Sequence, residues 1–250
     1  MARLARRCLL RADAWQSISV RIAEALRARG VPAARITALP NAVDTARFAA
    51  VARTPATDGP RFVFVGRLVP EKGLETLIDA FDTLLTHCPG AHLRIVGAGM
   101  LLAPLTLRVE QRAIAARVEF AGHRDDVEAL LADADFGVLP SHIEGLSNTL
   151  LECMAAGLPM LASRVSGSED IVRDGINGWL FEPGDRAGLA RALLAAARLS
   201  AVERAAMGQR ARATVERHAG IDSVLDRLLR LYRSGVASNL PSAPERDRSA

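Results

Sequence analysis

Aromatic side chains are scarce in this 250-residue chain, at 4%, with one tyrosine and two tryptophans. So few rings offer no platform on which successive bases could stack. A strong imbalance of charge is lacking too: 32 Lys and Arg stand against 28 Asp and Glu, a formal net charge of only +4, and the positive charge is mostly arginine spread along helical patterns. Neither feature implies a nucleic-acid partner. Cysteine is limited to Cys8, Cys88 and Cys153, an odd number without metal-ligand spacing. Reduced thiols of a cytosolic protein are the expectation, with Cys88 and Cys153 buried. No apolar run approaches the roughly 20 residues that a membrane span needs. The basic start from Arg3 to Arg11 lacks the long apolar core of a secretory signal. These absences predict a cytoplasmic protein whose mild positive balance suits anionic ligands or peripheral contact with the inner face of a membrane.

What is present is an ordinary globular composition, 50% hydrophobic and 24% charged, with ample material for a core. Residues 61 to 199 alternate short apolar runs with helical patterns. The runs at 61–65, 92–96, 118–120, 136–139 and 160–162 read as strands. Trp179-Leu180-Phe181 follows as the next run, after the Asn177-Gly178 turn. Helical patterns fall at 74–87, 124–132, 185–198, 201–217 and 222–233. This alternation predicts the α/β class, a doubly wound parallel sheet covered on both faces. The stretch from Gly235 onward, rich in Ser, Pro and charge, reads as a disordered tail. Asp13 to Val20 and Arg21 to Arg29 read as a strand and a helix that stand outside the alternating unit.

Two strand-to-helix turns carry chemistry. Ser141 to Pro159 follows the apolar run Phe136–Leu139, crosses a turn at Gly145 and enters a helix at Ser147 or Asn148. Free amides and the positive dipole end of such a helix make an anion site. Glu144 lies before the helix and Glu152 inside it, with Met154 and Ala155 packing behind. The second turn, Gly66-Arg67-Leu68-Val69-Pro70-Glu71-Lys72-Gly73, follows Phe62–Val65. Arg67 offers a planar fork for phosphate and Lys72 a point charge. Each residue alone could be a plain loop or surface group. In a doubly wound sheet, however, both turns gather at the carboxyl ends of the strands, where ligands bind. Gly97-Ala98-Gly99 lacks the third glycine of a dinucleotide fingerprint, since Leu102 stands there, so NAD is not expected. Asp125 and Asp126 are expected to cap the helix that follows them.

The spacing Glu-x7-Glu from Glu144 to Glu152, with the Gly-Arg…Lys-Gly turn, resembles the donor-binding domain of retaining glycosyltransferases of family 4, which have the GT-B fold. Pro40 to Phe48, Val96 to Gly99, Phe120-Ala121-Gly122 and Asp174 to Gly178 match further pieces in order, over roughly residues 13 to 233. The resemblance implies a Rossmann-like domain, one half of a GT-B architecture, at 51–218. It implies a remnant of the acceptor-binding domain and interdomain connection at 1–50, and a crossing helix at 219–234 that packs on the absent domain. The tail at 235–250 lies outside it.

By the same resemblance, Arg67, Lys72 and Glu144 serve catalysis, the two cations on the leaving diphosphate and Glu144 on the donor sugar. Glu152 holds the ribose hydroxyls. Gly66, Gly97, Gly145, Leu146, Ser147 and Asn148 contact the donor through backbone, and Gly122 with His123 lies by the nucleobase. No cofactor is implied and no metal ion, since the cations replace it. The implied partners are a nucleotide sugar and a glycan or lipid-linked acceptor, with polysaccharide biosynthesis as the setting. The loop 165–170 departs from the family, with Ser166-Gly167 and Asp170 where a glycine pair and a glutamate are usual. Three alternatives stay open: a donor-binding subunit that needs a separate acceptor-domain subunit, a truncated non-catalytic remnant, and an epimerase on the same fold.

Overall fold

The computed structural model of the chain describes residues 12–49 and 58–239. Cys8, the basic start and the segment from 240 onward lie outside the described residues. Within them the alternation predicted from sequence is present. The strands β3 (Arg61–Val65), β4 (His92–Val96), β5 (Val118–Gly122), β6 (Phe136–Leu139), β7 (Met160–Ser163) and β8 (Gly178–Phe181) form one sheet. All neighbours in it are parallel, in the order β5-β4-β3-β6-β7-β8. The chain winds outward from β3 to β5, then returns beside β3 and winds the other way. The reversal leaves a switch point between β3 and β6, where Phe62 pairs with Phe136 and Val63 with Gly137.

The central strands β6 and β7 are apolar along almost their whole length because helices cover both faces, whereas β3, β4 and β5 also carry Arg61, His92, Arg94 and Glu119. All four residues of β6 and of β7 are buried. At the centre the Phe62 and Phe136 rings stack at 5.2 Å, and Phe81 meets Phe62 edge-on at 6.3 Å. Each such fully buried side chain contributes roughly 1.5–3 kcal/mol of transfer free energy. Phe81 comes from α3 (Leu74–Leu85), which buries Leu74, Leu77, Ile78, Phe81 and Leu84, the i, i+3, i+4 stripe of an amphipathic helix. Cys153 is buried as expected, whereas Cys88 is only half-buried, because it sits in the turn after α3 rather than in its stripe.

The segment outside the alternating unit has its own small parallel pair, β1 (Trp15–Ser17) with β2 (Ile36–Ala38), and α1 (Val20–Ala28) between them. The first strand is shorter than expected. Ser19 leaves it to become the N-cap of α1, its hydroxyl accepting from the Ile22 amide at 3.3 Å. The connection then runs along the main unit. Val43 exchanges backbone hydrogen bonds with Ala219 and Ile221, at 2.9 and 3.1 Å. Phe48 of α2 (Thr45–Ala49) is buried.

At the far end α9 (Ala201–Ala219) begins with a reciprocal capping box between Ser200 and Glu203. The last helix, α10 (Ile221–Asn239), corrects the sequence reading: it runs through Gly235 rather than ending before it. Once nucleated, each further residue adds one backbone hydrogen bond, so a helix propagates over poor formers.

Candidate functional site

The two chemistry-bearing turns meet at the switch point. The first leaves β3 at Gly66, whose amide donates to Val96 O at 2.9 Å, while Leu68 donates to Ala98 O at 2.9 Å. Gly97 has φ 139°, and a Cβ there would stand 1.9 Å from Gly66 O. Only glycine allows this backbone-on-backbone approach. The turn ends in a 3-10 turn, Pro70–Lys72, and Gly73 at φ 64°. A Cβ on Gly73 would lie 2.2 Å from Pro140 O, in the second turn, and His142 donates its amide to Glu71 O at 2.8 Å. The loops after β3 and β6 are therefore packed directly on each other.

That packing brings Lys72 to Glu144. Lys72 Nζ ion-pairs with Glu144 Oε1, and Ser141 Oγ donates to the same oxygen at 2.8 Å. The side chains are 17% and 12% exposed, so the pair is shielded but reachable from solvent. Lys72 is the only lysine in the chain, among 32 Lys and Arg residues. Arg67 is exposed, and among the described residues its guanidinium has no ion-pair or hydrogen-bond partner.

The helix beyond the second turn is α6 (Asn148–Ala155). Ser147 is its N-cap, accepting from Leu150 N at 3.4 Å. Asn148 and Thr149 leave their amides without an acceptor among the described residues, the usual condition of a helix start. The connection braces this turn: Asn41 Nδ2 donates to Leu146 O at 3.1 Å and to Asn148 Oδ1 at 2.8 Å. A Cβ on Gly145 would lie 3.0 Å from Ile18 Cδ1, so the N-terminal segment closes over the turn.

Glu152 is half-buried with no side-chain hydrogen bond among the described residues. Burial raises its pKa above the usual glutamate range, Arg47 opposes that, and Glu128 adds to it. Arg47 itself is ion-paired with Glu128, on α5 (Val127–Ala132). Behind Glu152, Met154 and Ala155 are fully buried, and burial pushes the Cys153 thiol well above the ordinary thiol range.

Gly122 lies at the end of β5 with φ 68°, and its carbonyl accepts from the Gly97 amide at 2.7 Å. That ties it to the glycine cluster. His123 is exposed and faces Asp125 at 3.5 Å. Asp126 does stand at the N-cap of α5 but makes no side-chain cap. The expectation for it is corrected: Arg124 takes its carboxylate, at 2.7 Å from Nε. The loop at 165–170 holds the N-terminal segment. Ser166 Oγ meets Ser19 Oγ at 2.7 Å, and Asp170 accepts from the Val20 amide at 2.8 Å. Sequence reasoning gave no role to Ser141, Asn41 or Arg47. The signal it passed over was the solitary lysine, which marks a position where an arginine-rich chain departs from its habit. Among the described residues no three His, Cys, Asp or Glu side chains gather as metal ligands, and no helix is long and apolar enough to cross a membrane.

A parallel sheet in this order, with two interlocked glycine turns at its switch point, is the Rossmann-like unit of a GT-B-type protein. The chain belongs to the family "Glycosyl transferases group 1", which matches residues 59–198. It is 38% identical over 186 residues to a glycogen synthase of Mycobacterium tuberculosis, covering 74% of this chain and 44% of that protein. It is 38% identical over 162 residues to the lipopolysaccharide core biosynthesis glycosyltransferase LpsE of Rhizobium meliloti, 63% of this chain and 46% of that one. The chain thus spans about half the length of these relatives. The crystal structure of Anabaena Alr3699/HepE in complex with UDP superposes with a TM-score of 0.83 at 22% identity, over 93% of this chain and 67% of that one. The apo lipopolysaccharide outer core galactosyltransferase WaaB gives 0.75 at 26% identity, over 90% and 62%.

Proposed function

We propose that the chain forms the donor half of a retaining glycosyltransferase of family 4, taking a sugar from a nucleoside diphosphate and passing it to a glycan or lipid-linked acceptor. One observation carries this reading. Lys72 and Glu144 pair across the two interlocked loops of a single switch point, directly before a capped helix start that carries the half-buried Glu152 inside it. In the proposed reaction Arg67 and Lys72 receive the leaving diphosphate and neutralise its charge as the bond to the anomeric carbon breaks. These two cations do what a metal ion would otherwise do. The amides from Gly145 to Asn148, including Leu146 and Ser147, hold phosphate and sugar. Glu144 accepts from a sugar hydroxyl, and Glu152 from the ribose hydroxyls. Gly66, Gly97 and Gly122 let the nucleotide approach backbone. The acceptor hydroxyl attacks on the face that the diphosphate leaves, and its proton passes to the departing phosphate oxygen. The protein contributes position and charge rather than a nucleophile.

The reading is tested by thermal shift with UDP, GDP and ADP sugars, because a ligand that binds only the folded state raises stability. Stabilisation by at least one of them is expected. No stabilisation by any would overturn the donor-site assignment.

A second observation bears on the rest of the protein. Leu225, Leu229 and Tyr232 on α10 are 46%, 49% and 64% exposed. Such a stripe is suited to packing on another domain. It supports the reading that 12–49 and α10 both belong beside an acceptor-binding domain, in this chain or on a separate subunit. A radiolabelled-sugar transfer assay, with and without a supplied acceptor domain, tests this. Turnover by the 250-residue chain alone, unimproved by the added domain, would count against it.

A further inference from the structure

Glu144 is held by more than its lysine. Ser141, fully buried, donates its one hydroxyl proton to Glu144 Oε1 at 2.8 Å. Its carbonyl in turn accepts from Ser163 Oγ, which also reaches Leu139 O at 3.3 Å. A line of hydrogen bonds therefore runs from the end of β7, through the end of β6, into the carboxylate. Lys72 arrives at the same oxygen from the β3 side. Glu144 Oε2 has no partner among the described residues.

We infer that Ser141 is a positioning residue for the donor site: with Lys72 it pins Oε1 of Glu144 and leaves Oε2 as the single acceptor offered to the ligand. The inference rests on the donor-site reading above. Two physical points carry it. Removing a buried hydroxyl that donates to a carboxylate takes away one of the two groups that fix its orientation. Furthermore, an ammonium takes one carboxylate oxygen, whereas a guanidinium fork takes both. In a chain whose other cations are all arginine, lysine at 72 is the choice that keeps Oε2 open.

The experiment is calorimetric titration of the full chain with UDP-glucose against UDP, GDP-mannose against GDP and ADP-glucose against ADP, using whichever pair the unaltered chain binds most tightly. Ser141→Ala is expected to weaken the nucleotide sugar about tenfold, the scale of one hydrogen bond to a charged group, and to leave the free diphosphate nearly unchanged. Ser141→Ala should add little in a Glu144→Gln background, because it acts through that carboxylate. Equal losses for sugar and diphosphate, with a lowered melting temperature, would reduce Ser141 to a structural role and overturn the inference. So would additive losses in the double variant, or unchanged affinity in the single one. If the unaltered chain binds none of these pairs, the donor-site reading falls and takes this inference with it. If it binds and Ser141→Ala is silent, only this inference falls.

Discussion

The two ends of the central sheet are built differently. At the amino ends of β3, β4 and β5, side chains do the joining. Arg61 pairs with Asp133, Arg94 with Glu119 at 2.7 Å and Asp133 at 3.3 Å, and Arg117 with His92 at 2.9 Å. The buried Asp135 accepts from the Arg61 amide at 2.9 Å and pairs with Arg204 at 3.4 Å. At the carboxyl ends, backbone does the joining, through Gly66, Gly97 and Gly73 packed on neighbouring carbonyls. The side chains at the amino end pair with one another around an open cavity of about 450 Å³ lined by Arg61, His92, Arg94, Arg117 and Asp133. At the carboxyl end Lys72 and Glu144 pair across the two loops, while Arg67 has no partner among the described residues. The comparison separates an end rich in paired charge from one that leaves a cation unpaired, which composition cannot do.

The sharpest way to break the carboxyl end is Gly97→Ala. Its Cβ would meet Gly66 O at 1.9 Å, so the two turns must separate. A loss of about 3–5 kcal/mol in chemical denaturation is expected, together with loss of nucleotide binding. An unchanged midpoint would show that the interlock is soft.

Next come Arg67→Ala and Lys72→Ala. Each should cost about 1.5–3 kcal/mol of nucleotide affinity by calorimetry, and Arg67→Ala should leave stability untouched because its side chain has no internal partner. At the opposite end the outcome reverses: Arg61→Ala should destabilise by about 1–3 kcal/mol, since it leaves Asp133 with Arg94 as its remaining ion-pair partner and weakens the cover of Asp135, while affinity stays constant. Should Arg61→Ala weaken binding as much as Arg67→Ala does, the division between the two ends collapses.

A smaller effect concerns Glu152. Burial raises its pKa in the fold, against the pull of Arg47. A carboxyl raised in this way contributes stability below its ordinary value and loses it as pH climbs through the raised one. Glu152→Gln is therefore expected to melt higher than the unaltered chain at neutral pH, with the difference vanishing below the ordinary glutamate range, and to bind nucleotide less well. Scanning calorimetry across that pH window checks the sign. The smallest effect is reserved for the exposed pair of Arg124 and Asp126. Arg124→Ala should change neither melting nor affinity measurably, as is usual for a solvated ion pair.

Much of this architecture was legible in the residues. Periodicity marked the strands because a parallel strand buried on both faces must be apolar along its length, and it marked α3 because one face of a helix must be. Glycines marked the turns. The Glu-x7-Glu spacing and the Gly-Arg…Lys-Gly turn fall at the carboxyl ends of β6 and β3. All of these signals are local, extending over a few residues of backbone geometry.

What the residues did not disclose is which side chains meet. Lys72 and Glu144 are 72 residues apart, Asn41 and Asn148 are 107 apart, and Ser19 and Ser166 are 147 apart. Their proximity is set by the sheet order, which lays β3 beside β6 and folds the N-terminal segment over the turn at Gly145. Asp126 shows the same limit in reverse: its place at a helix start was evident, yet a neighbouring arginine took the carboxylate. The sequence determined the elements and the chemistry available at each turn. Only the tertiary structure decided that one oxygen of Glu144 is held by a lysine and a serine, because hydrogen bonds depend on distances that a chain acquires when it packs.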